Sequence, residues 1–235
     1  MDPCGGLRVS PHVTTYDLAT TPLRAVNQAL HAPDLEGEVR IEHPLGAHSV
    51  AVGVNAPVKI TIAGHVGYYA AGMSQQAEIV IEGNAGTGVA ENMMSGTVVV
   101  KGNASQAAGA TAHGGLLVID GDAAARCGIS MKGADIVVGG SVGHSSAFMA
   151  QAGRLVVRGD AGDGLGDSIY ETRIYVRGTV RSLGADCVAK EMRPEHLEEL
   201  AGLLKAAGHV HDDPASYTRY GSARKLYHFA ATNTY

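Results

Sequence analysis

The sequence predicts an all-β chain that winds into a parallel β-helix of about seven coils, with short helical caps at the ends and an extended C-terminal tail. Three observations predict this fold: a glycine that recurs every nineteen residues, two apolar columns that keep the same interval, and a scarcity of large aromatic side chains. The 235 residues include 32 Gly but only 2 Phe and no Trp, which favours many closely stacked backbones over one bulky core.

Each recurring glycine ends a short strand-like run, such as AEIVIEG or RLVVRG, and is followed by a small turn. These predicted corner glycines are Gly64, Gly83, Gly102, Gly121, Gly140, Gly159 and Gly178. A fixed period of this kind is typical of a solenoid, in which each repeat stacks on its neighbours. An earlier run, EVRIEH at residues 38–43, predicts one further coil that is two residues out of phase.

The segment GNAGTG at residues 83–88 raises the alternative of a phosphate-binding loop. Such a loop occurs once in a domain and opens a helix. Here the pattern occurs seven times, and Glu91 stands where the GxGxxG motif that starts at Gly86 needs its last glycine. We therefore interpret the segment as a turn between coils.

Two apolar columns run through the repeats, two residues apart within each unit. The first is Ile60, Ile79, Val98, Leu117, Ile136, Leu155 and Ile174, and the second is Ile62, Ile81, Val100, Ile119, Val138, Val157 and Val176. Because side chains alternate along a strand, both columns face the same side, and we expect that side to be the interior. Neighbouring rungs also carry charges of opposite sign on the other side, for example Lys101 and Asp120, or Asp135 and Arg154.

Between the two columns lies an outward position that is also mostly apolar. We call this set the outward stripe: Thr61, Val80, Val99, Val118, Val137, Val156 and Tyr175. An exposed stripe of this length would favour aggregation. We therefore expect a terminal segment of the chain, or another subunit, to cover it.

The chain divides into a predicted N-terminal cap segment at residues 1–36, the β-helix at 37–190, and a C-terminal helix with an aromatic tail at 191–235. In the first segment, Thr21 is the predicted N-cap of a short helix that begins at Pro22 and buries Val26 and Leu30 on one face with Leu23.

The run PEHLEELAGLLKAAGH at residues 194–209 predicts the second helix. Its apolar face is predicted to comprise Leu197, Leu200, Ala201 and Leu204, with Gly208 as its stop. Because the ends of a solenoid expose core residues, we expect both helices to serve as caps.

The tail is rich in Tyr and Arg, which are favoured at protein interfaces. Its candidate partner-contact residues are Tyr217, Arg219, Tyr220, Arg224, Tyr227, Phe229 and Tyr235. The sequence leaves two possibilities open, that the tail lies along its own solenoid or that it reaches onto a partner.

Composition excludes some classes of function. A net charge of −5 and a pI of about 6.1, with no Lys/Arg cluster, argue against nucleic-acid binding. Three cysteines, Cys4, Cys127 and Cys187, suggest a reducing compartment. With no apolar leader and no long apolar run, we expect a cytoplasmic chain that does not enter a membrane.

Few residues suggest chemistry. Cys4 could serve as an amidotransferase nucleophile only if it became residue one, because its own amine would be the base. The sequence HVHDD at residues 209–213 has the residue types of a metal site but lacks an obvious third ligand. Asp163, Asp167, Glu171 and Asp186 keep open the alternative of a stand-alone carbohydrate-active β-helix. We interpret His65, His113 and His144 as ordinary corner or surface residues.

The repeats GNAGTGVAENMMSGTVVVKG and GDAGDGLGDSIYETRIYVRG resemble the glycine-repeat β-helix that ends the large subunit of glutamate synthase. The resemblance spans about residues 37–190 and implies that the helix is right-handed. The segments YDLATTPLRAVNQALHA and YTRYGSARKL resemble the small glutamate-synthase-like subunit of methylamine–glutamate N-methyltransferase, also called N-methylglutamate synthase.

That resemblance implies a structural subunit that positions an amidotransferase-like chain against a synthase chain. FMN and an iron–sulfur cluster would belong to the synthase chain, and no catalytic, cofactor-binding or metal residue is carried over to this chain. Formylmethanofuran dehydrogenase has a subunit with the same β-helix, and a chain of that kind is the alternative.

Overall fold

One continuous sheet runs the length of the computed structural model, which describes residues 13–224. Within these residues the strands are β1 (Val13–Asp17), β2 (Glu38–Glu42), β3 (Lys59–Ile62), β4 (Glu78–Ile81), β5 (Thr97–Val100), β6 (Leu116–Ile119), β7 (Lys132–Val138), β8 (Ala152–Val157), β9 (Arg173–Val176), β10 (Cys187–Lys190) and β11 (Thr218–Ser222). The helices are α1 (Leu23–Ala29), α2 (Pro194–Ala206) and a 3-10 turn at Pro214–Ser216. Neither α1 nor α2 has the length and apolarity to cross a membrane.

Strands β1 to β9 pair in parallel in chain order, and the sheet closes in the order β9, β11, β10 with antiparallel pairs. From β3 to β9 residues pair with those nineteen positions later, as Ile60 does with Ile79. The exception is Lys132, which pairs with Ala152, twenty positions later, before a register shift. Val39 pairs with Ile60, so the first coil is two residues out of phase, as predicted. Both apolar columns are fully buried inside the stack. The predicted β-solenoid is confirmed.

A second, shorter ladder follows the corner of every coil. It consists of single parallel bridges through Val66, Ala85, Ala104, Ala123, Val142, Ala161 and Val180. The corner glycines also stack, since the Gly102 amide donates to the Gly83 carbonyl at 3.0 Å and the Gly121 amide to the Gly102 carbonyl at 3.0 Å. At each corner the backbones of neighbouring coils therefore stay in contact through the turn.

The residue after each corner glycine extends a polar ladder along the stack. Asn84 Oδ1 accepts a hydrogen bond from the Asn103 amide at 2.8 Å, and Asn103 Oδ1 accepts one from the Asp122 amide at 2.8 Å. A Cβ on Gly121 would lie 2.2 Å from Asn103 Oδ1, so the ladder itself excludes any side chain there. Glycine is required at this corner because the neighbouring coil approaches so closely, and not because the backbone has a positive φ.

The Ala-, Gly- and Ser-rich half of each coil has an unusual backbone. Alternate residues take left-handed conformations, for example Tyr69, Ala71 and Met73 with φ of 60°, 54° and 55°. The same pattern recurs in later coils with Ala90 and Asn92. Each left-handed non-glycine residue costs roughly 1–2 kcal/mol, which small side chains such as alanine offset by packing in the narrow interior.

Helix α1 closes the N-terminal end of the stack. Its Val26 and the following Leu30 are buried in the main core. The helix starts one residue later than predicted, with Pro22 as N-cap and no side-chain cap, because the Thr21 amide instead bonds the Asp17 carbonyl at 2.8 Å. Asn27 ties the helix to the first coil, since its Nδ2 donates to the Ser49 carbonyl at 2.8 Å.

Helix α2 lies on the outer face of the sheet and does not cross the end of the stack. Its buried leucines, Leu200, Leu203 and Leu204, pack with Val137, Val156 and Tyr175 in an apolar cluster separate from the main core. Leu203 takes the buried place predicted for Ala201, which is exposed. Gly208 follows the helix with φ of 84°, as a helix stop requires.

Candidate partner-binding surface

The C-terminal segment covers half of the outward stripe. Val118, Val137, Val156 and Tyr175 are all buried, the last three beneath α2 and Tyr217. The expectation that a terminal segment covers the stripe is thus confirmed for Val137, Val156 and Tyr175. Apolar leucines on α2 exclude water from a valine face that would otherwise be exposed.

Two carboxylates clamp this segment to the solenoid. Glu199 on α2 accepts from Arg173 at 2.5 Å, from the Tyr175 hydroxyl at 2.6 Å and from Arg154 at 3.3 Å. Arg154 also donates to Asp135 through Nε and Nη2, each at 2.5 Å, which is the predicted charge pair between neighbouring rungs. The predicted Lys101–Asp120 pair is present as well, at 3.1 Å.

Asp212 forms the second clamp, beyond the end of α2. It accepts from Arg158 Nε at 2.6 Å and Nη2 at 2.9 Å, and from the Tyr217 hydroxyl at 2.8 Å. The Arg158 hydrogen bonds hold the pKa of this carboxyl well below its usual range, and the Tyr217 hydrogen bond lowers it further. Arg177 adds a longer ion pair at 3.3 Å.

These contacts occupy side chains of the HVHDD segment that could have served as metal ligands. Asp212 is bound by arginines, and Asp213 caps the 3-10 turn by accepting from the Ala215 amide at 2.9 Å. Burial lowers the pKa of His209, whose Nε2 is buried without a hydrogen-bond partner. In the described range 13–224, no group of three or more His, Cys, Asp or Glu side chains is placed to hold a metal ion.

The described part of the tail packs on its own solenoid. Tyr217 is buried under α2, and Tyr220 packs against the main core from β11. Arg219 donates to the Glu191 carbonyl through Nε at 3.0 Å and Nη2 at 2.8 Å, and Arg224 pairs with Asp186. Tyr227, Phe229 and Tyr235 lie outside the described residues. For residues 217–224, the intramolecular possibility is the observed one.

The other half of the outward stripe is open. Thr61, Val80 and Val99 stay partly exposed and, among the described residues, join neither apolar cluster. They lie in line with the valines that α2 covers in later coils, so the open half forms a partly exposed apolar surface on which a partner could pack. We call Thr61, Val80 and Val99 the open stripe.

A second exposed group lies on the glycine-rich side of the first coils. The rings of His48 and Tyr68 stack with centroids 4.4 Å apart, and Tyr69 meets Tyr68 edge-on at 6.4 Å. Tyr68 is 52% exposed, Tyr69 49% and Met73 53%. Tyr69 and Met73 both hold the left-handed backbone conformation that recurs at these positions in later coils.

The nucleophilic and acidic candidates do not form a catalytic site. Cys127 and Cys187 are buried free thiols, and burial raises the pKa of Cys127 to about 12 and of Cys187 to about 11. A thiol protonated at neutral pH is a poor nucleophile. Cys4 lies outside the described residues.

Three of the four carboxylates of the carbohydrate-active alternative have separate polar partners. Asp163 pairs with Arg181 at 3.4 Å, Asp186 pairs with Arg224, and Asp167 accepts from the Ser168 hydroxyl at 2.7 Å. Each of these three therefore has a partner of its own, whereas a pair of catalytic carboxylates must face one bound substrate.

Sequence reasoning missed the polar ladder at the corners. His65, interpreted as an ordinary corner residue, is its first member, since His65 Nδ1 accepts from the Asn84 amide at 2.8 Å. The signal was present, because Asn, Asp, Ser or Thr follows each later corner glycine at the same nineteen-residue interval.

The sequence is similar to that of Protein GlxC of Rhizobium meliloti (strain 1021). The two are 60% identical over 222 residues, which cover 92% of this chain and 96% of that protein. The chain belongs to the GlxC family. No protein-family model matches the sequence.

Proposed function

We propose that this chain is a structural, non-catalytic subunit of a glutamate-synthase-related enzyme complex. The observation that carries the proposal is the open stripe, an apolar surface on a rigid solenoid whose remaining half is covered by the chain's own α2. Membership of the GlxC family and the resemblance of its glycine repeat to the β-helix of glutamate synthase support the same function.

The finer proposal is that the complex makes N-methylglutamate from methylamine and glutamate. In it, an amidotransferase-like chain and an FMN/iron–sulfur synthase chain would sit on the solenoid, with both cofactors in the partner chain. This chain would act as a rigid scaffold. Its stacked coils would keep the surfaces that bind the two partner chains at a fixed distance, because each coil is hydrogen-bonded to the next.

Such positioning has a chemical purpose. An aliphatic amine resembles the lysine side chain, with a pKa of about 10.4, and is almost wholly protonated in neutral water. A protonated amine is no nucleophile, so two reaction centres that exchange an amine gain from a short, enclosed path.

The two alternatives imply different partners. A subunit of a formylmethanofuran-dehydrogenase-like complex would use the same scaffold with other chains. A stand-alone carbohydrate-active β-helix would need converging carboxylates, and the separate pairing of Asp163 and Asp186 does not favour it.

The test is to isolate the full-length tagged chain from cells that produce it and to identify the bound chains by mass spectrometry. We expect an amidotransferase-like chain and a flavoprotein in fixed ratio, with visible flavin absorption in the isolated complex. A chain that always purifies alone would overturn the proposal. Co-purification with a formyl-handling metalloenzyme would select the alternative scaffold function instead.

A further inference from the structure

A cavity of 350 Å³ opens on the outer face of the sheet where β9, β11 and β10 lie side by side. It exists because β11 carries a glycine where a side chain would otherwise fill the space. A Cβ on Gly221 would find Lys190 Cγ at 3.4 Å, Lys190 Cε at 3.7 Å and Arg219 Nη1 at 4.0 Å as its nearest neighbours. With Arg173 also in the wall, the cavity is bordered by three cationic side chains. We call it the cationic cavity.

Two of these cations have no carboxylate partner in the described range 13–224. Arg173 is paired with Glu199, but Lys190 forms no ion pair, and Arg219 donates only to the carbonyl oxygen of Glu191. That contact uses Arg219 Nε and Nη2, which leaves Nη1 beside Gly221. Glu171 is the carboxylate among the residues that line the cavity, so positive charges outnumber negative charges in its wall.

The surroundings of Arg219 also favour an incoming negative charge. Burial lowers the pKa of Arg219, and the nearby Arg173 and Arg193 lower it further, although Tyr175 and Glu195 oppose them. An anion bound next to Arg219 would relieve this repulsion between like charges.

We propose that the cationic cavity binds a carboxylate group between Lys190 Nζ and Arg219 Nη1. A carboxylate fits better than a phosphate for two reasons. Phosphate sites use full guanidinium forks or converging backbone amides. Here Arg219 has already donated Nε and Nη2 to Glu191, and Arg173 has donated Nη1 to Glu199. Glu171 in the wall also disfavours a doubly charged ligand.

The carboxylate has two chemical sources, a free organic acid or an acidic side chain of a bound partner. The inference does not depend on which amine the proposed complex handles. The probe is glutarate, titrated into the isotope-labelled full-length chain and followed by NMR, with inorganic phosphate as the comparison. We expect saturable shifts at the backbone amides of Lys190, Arg219 and Gly221.

Lys190→Ala is expected to weaken glutarate binding about tenfold, as the loss of one charge-assisted hydrogen bond implies. Lys132→Ala is the matched control, since Lys132 also lies on a strand and forms no ion pair among residues 13–224. Gly221→Val fills the cavity without removing a charge and is expected to abolish the shifts while the circular dichroism spectrum is unchanged.

The proposal is overturned by shifts that do not saturate, by equal weakening in Lys190→Ala and Lys132→Ala, or by tighter binding of phosphate than of glutarate. The assembled complex separates the two sources. A partner side chain in the cavity would block glutarate in the complex, and Lys190→Ala would loosen assembly. A free acid would bind the complex as well as the isolated chain, and Lys190→Ala would assemble normally.

Discussion

Gly83 and Gly202 show how differently one residue type is used within this chain. A Cβ on Gly83 would lie 2.7 Å from both Gly64 C and His65 N, which belong to the backbone of the preceding coil. Around Gly202, in α2, no atom lies within 4 Å of such a Cβ. The first glycine is fixed by the distance between coils, whereas the second only weakens a helix.

We therefore expect opposite effects from the same change. Gly83→Ala forces two backbones apart and should lower the free energy of unfolding by about 1–3 kcal/mol. Gly202→Ala should raise it by about 0.5–1 kcal/mol through helix propensity. Urea denaturation of both variants measures the difference. Equal stability of the two variants would contradict the close stacking of the corners.

Asp212 makes stability depend on pH. Its pKa is lower in the folded chain than in the unfolded chain, mainly through the Arg158 hydrogen bonds, so its contribution is complete above the unfolded pKa of about 4. That contribution is lost as the pH falls from there toward the folded pKa. Asp212→Asn should destabilise the chain by about 2 kcal/mol at pH 7 and flatten the acid side of its stability profile.

The measurement for Asp212→Asn is thermal unfolding between pH 3 and pH 7. Asp120→Asn is the control, because Asp120 pairs with Lys101 on an exposed part of the same sheet. An exposed pair contributes little, so this variant should stay close to the parent at every pH. An Asp212→Asn profile as steep as that of the parent chain would show that another group governs acid unfolding.

At the scale of the element, the outward stripe changes function along its length. Its second half is an internal contact with α2, and its first half is the open stripe. Val99→Glu places a charge on the open stripe without touching either core. If partners bind there, affinity for them should fall tenfold or more while the thermal unfolding midpoint is unchanged.

Val210→Glu is the matched control, since Val210 is 60% exposed and lies beyond α2. Pull-down of the native partners with each variant provides the comparison. Retention of the partners by Val99→Glu would place the docking surface elsewhere, and the group around Tyr68 and Tyr69 would be the next to test.

The elements also show what sequence can and cannot predict. The stack follows from the recurrence of columns such as Ile60, Ile79 and Val98, because a parallel ladder repeats its environment at every rung. The position of α2 does not follow from the sequence in this way. Its amphipathic pattern identifies which face of the helix is buried, but not the surface on which that face packs. The insertion of β11 between β9 and β10 depends on long-range pairing of a Tyr- and Arg-rich segment, which no local pattern indicates.

At the scale of the whole molecule, coils should be removable as units. Deleting residues 103–121 joins Gly102 to Asp122, so that a corner glycine is again followed by a ladder residue. The apolar columns then continue from Val98 to Ile136 in register. We expect a folded protein that is shorter by one rung of about 4.8 Å.

Deleting residues 104–121 removes one residue fewer and is the control. That deletion shifts the following strands by one position, which turns every inward side chain outward. Circular dichroism and small-angle X-ray scattering distinguish a shortened rod from an unfolded chain. Equal folding of both deletions would refute the register.

Nearly every hydrogen bond between coils joins residues about nineteen positions apart, and this has a mechanical consequence. If the two ends of the molecule are pulled apart, the stack should peel rung by rung from the α1 end, because the clamps at Glu199 and Asp212 fasten the other end. Each rung would release a similar length of chain, roughly 65 Å for nineteen extended residues. A force–extension trace should then resemble an evenly spaced staircase, whereas a globular core would rupture in one event.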